Sequence, residues 1–560
     1  MKLYKISLLA LASIAFTACE DIDELKPVSG RLTEEQVQDV YKAVPSRIDA
    51  TFTGMFSMMG HGNSVLNSDR ADDFGFIMSA ISLDTEGPDY IYPNSGYNWF
   101  NVCGQYTSRY ANYANPYIRY GIVYNQIKIA NDVIKSYPAD TKDPTAINNI
   151  AQARAIRAFD YLSLVQYFQY NYNKMVNGKQ GKDLPSIPLV TEATTDFSNN
   201  PRATVEEVFK QIIADLDYAI ENLRGYKRPS NAEKIENKTL VNQNVAFGLR
   251  ARANLIMGKY AEAAADADSA AVGYKPYSMS AVSTPAFCSL KDANWIWGID
   301  VTPQMTNDYG RYPTPASWVS SFSGWGYAAG AGCYAHINKM LYDKIEDTDV
   351  RKGWWVNEKL ESPLLSTISW DGISGNAISK YEIDDTKMPF DPYTNVKFGM
   401  ASGIGAIVND NDWPLMRVEE MILIKVEGLA KSGNEGEART LLENFVKSYR
   451  NPAYSVAKAT QNRTFADEIW FQRRVELWGE GFAMSDIMRL NKPVVRFHGD
   501  DRANSNEPDA FKFNISPDDP WLLLRFPQTE LDTNKGVIDN EGGTAPEMYQ
   551  NGDLTDGVTD

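Results

Sequence analysis

The residues with the clearest chemical signal are aromatic. Trp295, Trp297, Trp318, Trp325, Trp354, Trp355 and Trp370 are seven of the chain's 12 tryptophans, and all fall within residues 273–412 together with Tyr309, Tyr312, Tyr327 and Tyr334. A flat apolar ring beside polar hydrogen-bonding groups suits a ligand with an apolar C–H face and a rim of hydroxyls, as a sugar has. Trp318, Trp325 and Tyr327 are flanked by Ser and Gly, so loops could hold them at the surface. Trp295-Ile296-Trp297-Gly298-Ile299 reads instead as a short strand, and its two tryptophans fit a core as readily as a surface. A second group lies earlier, where Trp99 and Asn98 sit in the stretch NSGYNWF and Asp69 and Arg70 precede them.

Other chemistries leave little trace. The chain has no His-Glu-x-x-His site, no Cys-x-x-Cys pair, no P-loop and no Gly-x-Ser-x-Gly elbow. Its three histidines, His61, His336 and His498, leave little for histidine-dependent acid-base work. Carboxylates are plentiful, but a glycosidase pair is a matter of spatial separation. Asn409-Asp410-Asn411-Asp412 is rich in oxygen ligands yet lacks the EF-hand Gly and terminal Glu, and reads as a polar loop. The expectation is therefore a binder with no catalytic residues, no metal and no cofactor. With 55 basic and 72 acidic residues the formal charge is −17, which argues against a nucleic-acid partner because the phosphate backbone would be repelled.

The elements that position these residues are helices. Between Trp413 and Leu490, Leu415, Val418, Ile422, Val426 and Leu429 fall at helical spacing; Ser432-Gly433-Asn434 breaks the pattern, and Ala438, Leu441, Phe445 and Tyr449 carry a second stripe. The same plan occurs over Leu240–Ala271, where Val241, Val245, Leu249, Ala253 and Ile256 precede Gly258, and Tyr260, Ala263, Ala267 and Ala270 follow it. Paired helices with Ala on the inner face follow the packing logic of tetratricopeptide-type hairpins, although any α-hairpin bundle would share it. Asp143-Pro144 predicts a helix start, and Thr204-Val205-Glu206-Glu207 and Thr33-Glu34-Glu35-Gln36 have capping-box spacing, the latter opening a helix towards Met58. Residues 61–100 read as long loops. Residues 273–412 read as a loop-built lobe inserted between helical hairpins, and Trp521 to Leu524 as a pin for the tail.

These helices also carry a family resemblance. MRVEEMILIKVEGLAKSGNEGEARTLL followed by IWFQRRVELWGEGFAMSDIMRL resembles the C-terminal signature of the SusD/RagB family of nutrient-binding outer-membrane lipoproteins. YGIVYNQIKIANDVI, IAQARAIRAFDYLSLVQYF and TVEEVFKQIIADLDYAIENL followed by ARANLIMGKYAEAAADA support it, in the family's order over most of residues 31–535. The resemblance implies a mainly α fold, a tetratricopeptide-like scaffold of helical hairpins with a large irregular lobe inserted. It implies capture of an oligosaccharide and its delivery, by hinged closure, to a SusC-like TonB-dependent transporter. SusD-like sites are built from early loops plus the inserted lobe, which makes Trp99, Asn98, Asp69, Arg70, Trp318, Trp325 and Tyr327 positional candidates. The family has no fixed binding motif, and peptide is an alternative ligand, as for relatives resembling RagB. A glycoside hydrolase is a further reading.

The N-terminus agrees with that resemblance. Lys2 and Lys5, an apolar run from Ile6 to Phe16 and small Thr17-Ala18 before Cys19 form a secretory signal, and Ala18-Cys19 resembles a lipoprotein box in which the Cys19 thiol is acylated. The apolar run is too short for a membrane-spanning helix, so attachment to the outer membrane at the cell surface would be by lipid. Acidic Glu20, Asp21, Asp23 and Glu24 resemble a surface-export signal. The expected organisation is signal peptide 1–18, tether 19–32, a helical part 33–272 with its loop region 61–100, the lobe 273–412, and C-terminal hairpins with a tail, 413–560. Cys103, Cys288 and Cys333 are odd in number and predict no disulfide framework.

Overall fold

Helix starts follow the side chains that cap them. Asp143 accepts hydrogen bonds from the amides of Thr145 and Ala146, with Pro144 in the first helical turn, where its missing N–H costs nothing. Thr204 Oγ1 accepts from the Glu207 amide at 3.2 Å while the Glu207 carboxylate accepts from the Thr204 amide at 2.8 Å, a complete capping box. The computed structural model describes residues 34–44, 46–66, 68, 70–230, 235–303, 305, 315–408, 410–500 and 502–560. The expected leader, Cys19, the tether and Thr33 lie outside the described residues, as do Asp69, Tyr309, Tyr312 and Asn409.

The chain divides into two compact units, residues 1–53 and 54–560. In the described part of the first, helix α1 (Glu34–Ala43) is followed by the start of α2 (Ser46–Ser57), and the hydroxyls of Tyr41 and Thr51 meet at 2.9 Å. The single helix expected towards Met58 is thus two. Pro45 stands at the break in the sequence, and a proline pushes the residue before it out of helical conformation.

The second unit carries α3 (Gly75–Glu86), α4 (Ala114–Lys135), α5 (Pro144–Leu162), α6 (Val205–Asn222), α7 (Gln243–Met257), α8 (Tyr260–Ala271), a one-turn helix α9 (Pro315–Val319), α10 (Val418–Lys431), α11 (Glu435–Tyr449), α12 (Phe465–Glu476) and α13 (Ala483–Leu490). Successive helices from α4 to α8 pack on one another, and α8 packs on α10 although residues 273–412 separate them in the chain, so the fold is mainly α and built of helical hairpins. Gly258 ends α7 in the left-handed region, φ 76°, and starts the turn into α8. A Cβ on Gly428 of α10 would stand 2.6 Å from the Tyr260 carbonyl oxygen and 2.9 Å from Ala264 Cβ, so glycine and alanine are what let α8 and α10 approach. Leu423 and Val426 of α10, Leu442 and Phe445 of α11 and Ile469 of α12 form one buried cluster.

Two expectations are corrected. Residues 61–100 are not all loop: α3 runs through them, and ten of its residues are buried, polar Ser82, Asp84, Thr85 and Glu86 among them, so no solvent-facing polar stripe betrays the helical period. Trp413–Arg417 is a strand, β2, paired antiparallel with β1 (Trp295–Ile299), and the helix assigned to begin near Trp413 starts at Val418. Both strands bury Trp295, Trp297 and Trp413, so the first two belong to the core. Residues 273–412 otherwise hold short 3-10 turns, two-residue strands and one-turn α-helices, α9 among them.

The stretch IWFQRRVELWGEG, together with residues just after it, works as a rack of buried ion pairs. Glu476 takes Arg450 at 2.8 Å and Arg351 at 3.3 Å, and Glu480 takes Arg417 at 2.8 Å and Lys397 at 2.7 Å. Arg473 pairs with Asp486, and Arg474 with Asp89 and Asp556. Arg351 and Lys397 come from residues 273–412, so this rack pins that segment to the C-terminal helices. The tail is held as expected: Trp521 Nε1 donates to the Tyr106 carbonyl at 2.9 Å and the Leu524 amide to the Tyr167 carbonyl at 2.8 Å.

Candidate functional site

The early loops and the inserted segment meet at α9. Trp318 Nε1 donates to the Ala71 carbonyl at 3.1 Å, and Tyr92 Oη donates to the Trp318 carbonyl at 2.8 Å, so the two regions are stitched through backbone oxygens. The Trp318 ring stacks on Tyr327 with centroids 4.8 Å apart and planes 9° from parallel, and meets Phe100 edge-on at 4.9 Å. Tyr327 Oη in turn accepts from Trp99 Nε1 at 2.8 Å. Arg70 lies 5.0 Å over the Trp99 ring, and its Nε and Nη2 grip Asp72 at 2.9 and 2.8 Å. Burial raises the Asp72 carboxyl above its ordinary value, and Arg70 offsets only part of that.

Four of the positional candidates, Arg70, Trp99, Trp318 and Tyr327, are therefore one contiguous cluster. Their exposures give them different positions within it. Trp318 is 1% exposed, its one-turn helix buried throughout, so it backs Tyr327 from inside and shows no face to a ligand. Asn98 is also buried; its amide donates to the Pro93 carbonyl and to Asn101 Oδ1, and its Oδ1 accepts from the Phe100 amide. Those bonds hold the turn that presents Trp99. Trp325 is 47% exposed and lies two residues from Tyr327, its amide held by Ser323 Oγ. Asp69 lies outside the described residues.

One neighbour escaped the sequence reading. Tyr97, at 61% exposure, lies 6.4 Å from Tyr327. It stands two residues before Trp99 in the same Gly- and Asn-bearing turn, which is the signal that could have found it. Near Trp325, Gly324 N donates to the Ala406 carbonyl at 2.9 Å, which brings exposed Ile407 and Val408 alongside. The other five tryptophans of residues 273–412 are buried, contrary to a surface role for the group as a whole. Arranged in depth, the site has a floor of Trp318 and Phe100, a middle layer of Trp99 and Tyr327, and outer rings Tyr97 and Trp325. Such a surface offers stacking faces beside hydroxyl, indole and guanidinium donors.

Nearby polar loops are occupied structurally. Asp412 accepts from the amides of Leu290 and Val301, and Asn411 Oδ1 accepts from the Ala401 amide, so the 410–412 segment ties strands and loops together. Among the described residues no cluster of three or more His, Cys, Asp or Glu could hold a metal ion. No described helix is long and apolar enough to cross a membrane.

Comparison with known proteins places this geometry in context. Residues 260–542 match the model of the SusD family, and residues 77–255 match one described as starch-binding, associating with outer membrane. No curated protein matches. A SusD-like carbohydrate binding protein from Bacteroides vulgatus is 21% identical, with a TM-score of 0.65 over 89% of this chain and 98% of that one. Surface glycan-binding protein A from Bacteroides uniformis is 17% identical, TM-score 0.58, over 89% and 99% of the two chains. A laminarin binding SusD-like protein has the same identity, TM-score and coverage, 17%, 0.58, 89% and 99%. At these identities the structures share the fold, and the family model spans 283 of the 560 residues (542 − 260 + 1). The chain belongs to the SusD family.

Proposed function

We propose that the chain is a surface lipoprotein that captures an oligosaccharide on the rim of Tyr97, Trp99, Tyr327 and Trp325 and passes it to a SusC-like TonB-dependent transporter in the same outer membrane. The observation that carries the reading is the pair of rings left open to solvent, Tyr97 at 61% against Tyr327 and Trp325 at 47% two residues before it in the chain, next to the Trp99–Tyr327 hydrogen bond. Large aromatic faces exposed beside buried supporting rings are poised to cover the C–H face of a sugar, with Arg70 and the Tyr327 hydroxyl at its polar edge. The laminarin-binding and glycan-binding neighbours and the starch-binding family description favour the same ligand class. Residues 1–18 serve as signal peptide, Cys19 carries the lipid, 19–32 form the tether, and 273–412 form the lobe that supplies half of the rim. Capture needs no bond cleavage.

Isothermal titration against a polysaccharide panel tests this. At least one glycan gives a saturable isotherm, and the Tyr97→Ala, Trp325→Ala double variant weakens it by roughly tenfold or more, the loss expected for two stacked rings. Flat traces for every glycan sink the reading. A peptide found by mass spectrometry in the purified protein moves the ligand to the peptide class, and reducing ends released from a bound glycan make the protein a hydrolase. Separately, metabolic labelling with a palmitate analogue marks the wild type and not Cys19→Ala.

A further inference from the structure

Away from the aromatic rim, the described residues surround a cavity of about 140 Å³ between α3, α4, α5, α7, β2, α10, α12 and α13. No residue of the rim lines it. Its volume is close to the ~150 Å³ of apolar cavities known to admit a benzene-sized guest. Phe76, Leu83, Val123, Phe159, Leu162 and Leu255 are among the residues of its apolar wall.

The polar lining is nearly all spoken for, and the exception has a sign. Its carboxylates are each matched with a cation, Glu420 with Arg252 at 2.7 Å, Asp486 with Arg473 at 2.8 Å and Glu480 with Arg417 at 2.8 Å, which leaves no charge for a cationic guest. Arg473 is 3% exposed and spends Nε and Nη2 on Asp486, yet its Nη1 has no hydrogen-bond partner among the described residues. A buried guanidinium N–H without an acceptor is costly, and native proteins rarely leave one. Gln166 and Ser79 of the same lining also hold a buried oxygen without a partner among those residues. An apolar chamber with one strong donor left over matches an apolar body bearing an acceptor.

We infer that this chamber is a second binding site, for a small monocarboxylate whose apolar body is about the size of a benzene ring. The carboxylate accepts from Arg473 Nη1, and the ring lies against Phe76, Val123 and Phe159. The site is independent of the glycan reading, since the two share no residue.

Benzoate titrated into the full chain, followed by calorimetry and by saturation-transfer NMR, is the test, with benzylamine as the cation of matching size. Benzoate binds saturably at one site and benzylamine does not. Val123→Phe, which fills the chamber while leaving every ion pair in place, lowers benzoate affinity by at least about tenfold, and Leu255→Phe does the same from another wall. Trp325→Ala leaves benzoate binding unchanged. Absence of benzoate binding to the wild type, equal binding of benzylamine, or retention of wild-type affinity in both folded filling variants overturns the inference.

Discussion

Trp99 donates its indole N–H to Tyr327 at 2.8 Å while Arg70 covers one of its faces, so its orientation is set before any ligand arrives. Pre-set rings bind without the entropy cost of ordering them. Tyr327→Phe keeps the stack on Trp318 and removes only the acceptor, which costs about 1 kcal/mol. The expected outcome is roughly fivefold weaker glycan binding with a melting temperature lowered by only about 1–2 °C, read by titration and calorimetry. Asp160 presents a different case, a carboxyl at 0% exposure with neither oxygen partnered among the described residues. Burial pushes its pKa well above the ordinary value, so its folded form holds a proton that the unfolded form releases. A raised pKa contributes stability that is whole below the unfolded value and is lost as pH rises towards the folded one. Asp160→Asn removes this dependence. Its stability relative to wild type should therefore climb with pH, by up to about 1.4 kcal/mol per unit above pH 4, in thermal melts taken from pH 5 to 8. A constant difference across that range would refute the assignment.

Among the elements, the α8–α10 contact shows packing overruling propensity. Alanine exceeds glycine as a helix former by about 1 kcal/mol, which on its own makes Gly428→Ala stabilising. The added Cβ, however, would meet the Tyr260 carbonyl at 2.6 Å, a backbone atom that cannot step aside without moving α8. The variant is expected to lose roughly 1–3 kcal/mol in urea unfolding; a gain would mean that the helices separate freely. The hairpins around this contact were legible because alternating faces, a left-handed Gly258 and paired capping residues all leave marks within a few residues. Helix α3 left none, since it is buried on every side and its period is hidden. Strand β2 was hidden for a related reason: Trp413, Met416 and Val418 are buried on both sides of the junction, and Arg417 between them is buried too, so no exposed polar residue marks where strand gives way to helix. The candidate site was half legible. Ser and Gly around Trp325 and Asn around Trp99 correctly marked loops, and Trp325 is the ring most open among the tryptophans named. The depth of Trp318, by contrast, is set by Ala71 and Tyr92, more than two hundred residues away in the chain, and no local pattern reports it.

Across the whole molecule, buried charge sets how stability responds to acid and base. Burial alone would raise Glu476, but Arg450 and Arg417 hold it well below the glutamate range, and Arg489 does the same for Glu427. Lowered groups contribute stability that is present above the ordinary glutamate value and lost as pH falls below it. Other carboxyls pull the opposite way. Burial lifts Asp84 and Asp412 to about 7 and Glu507 to about 8, against the amides and arginines that offset only part of it. Their contribution is whole in acid and fades as pH rises through those values. Self-repulsion from a net charge of −17 adds to the loss at high pH. The two groups together put the stability maximum at about pH 5, on the acid side of neutrality, with a decline on both flanks. Melting temperatures measured from pH 3 to 9 should trace that dome. Glu476→Gln should flatten the acid flank and lower the summit by about 3 kcal/mol, the low end for a broken buried pair, because Arg450 and Arg351 lose one of their carboxylates at the joint between residues 273–412 and the C-terminal helices but keep Glu419 and Asp349. A maximum above pH 8, or a variant as stable as the wild type, would show that this rack of ion pairs does not hold the molecule together.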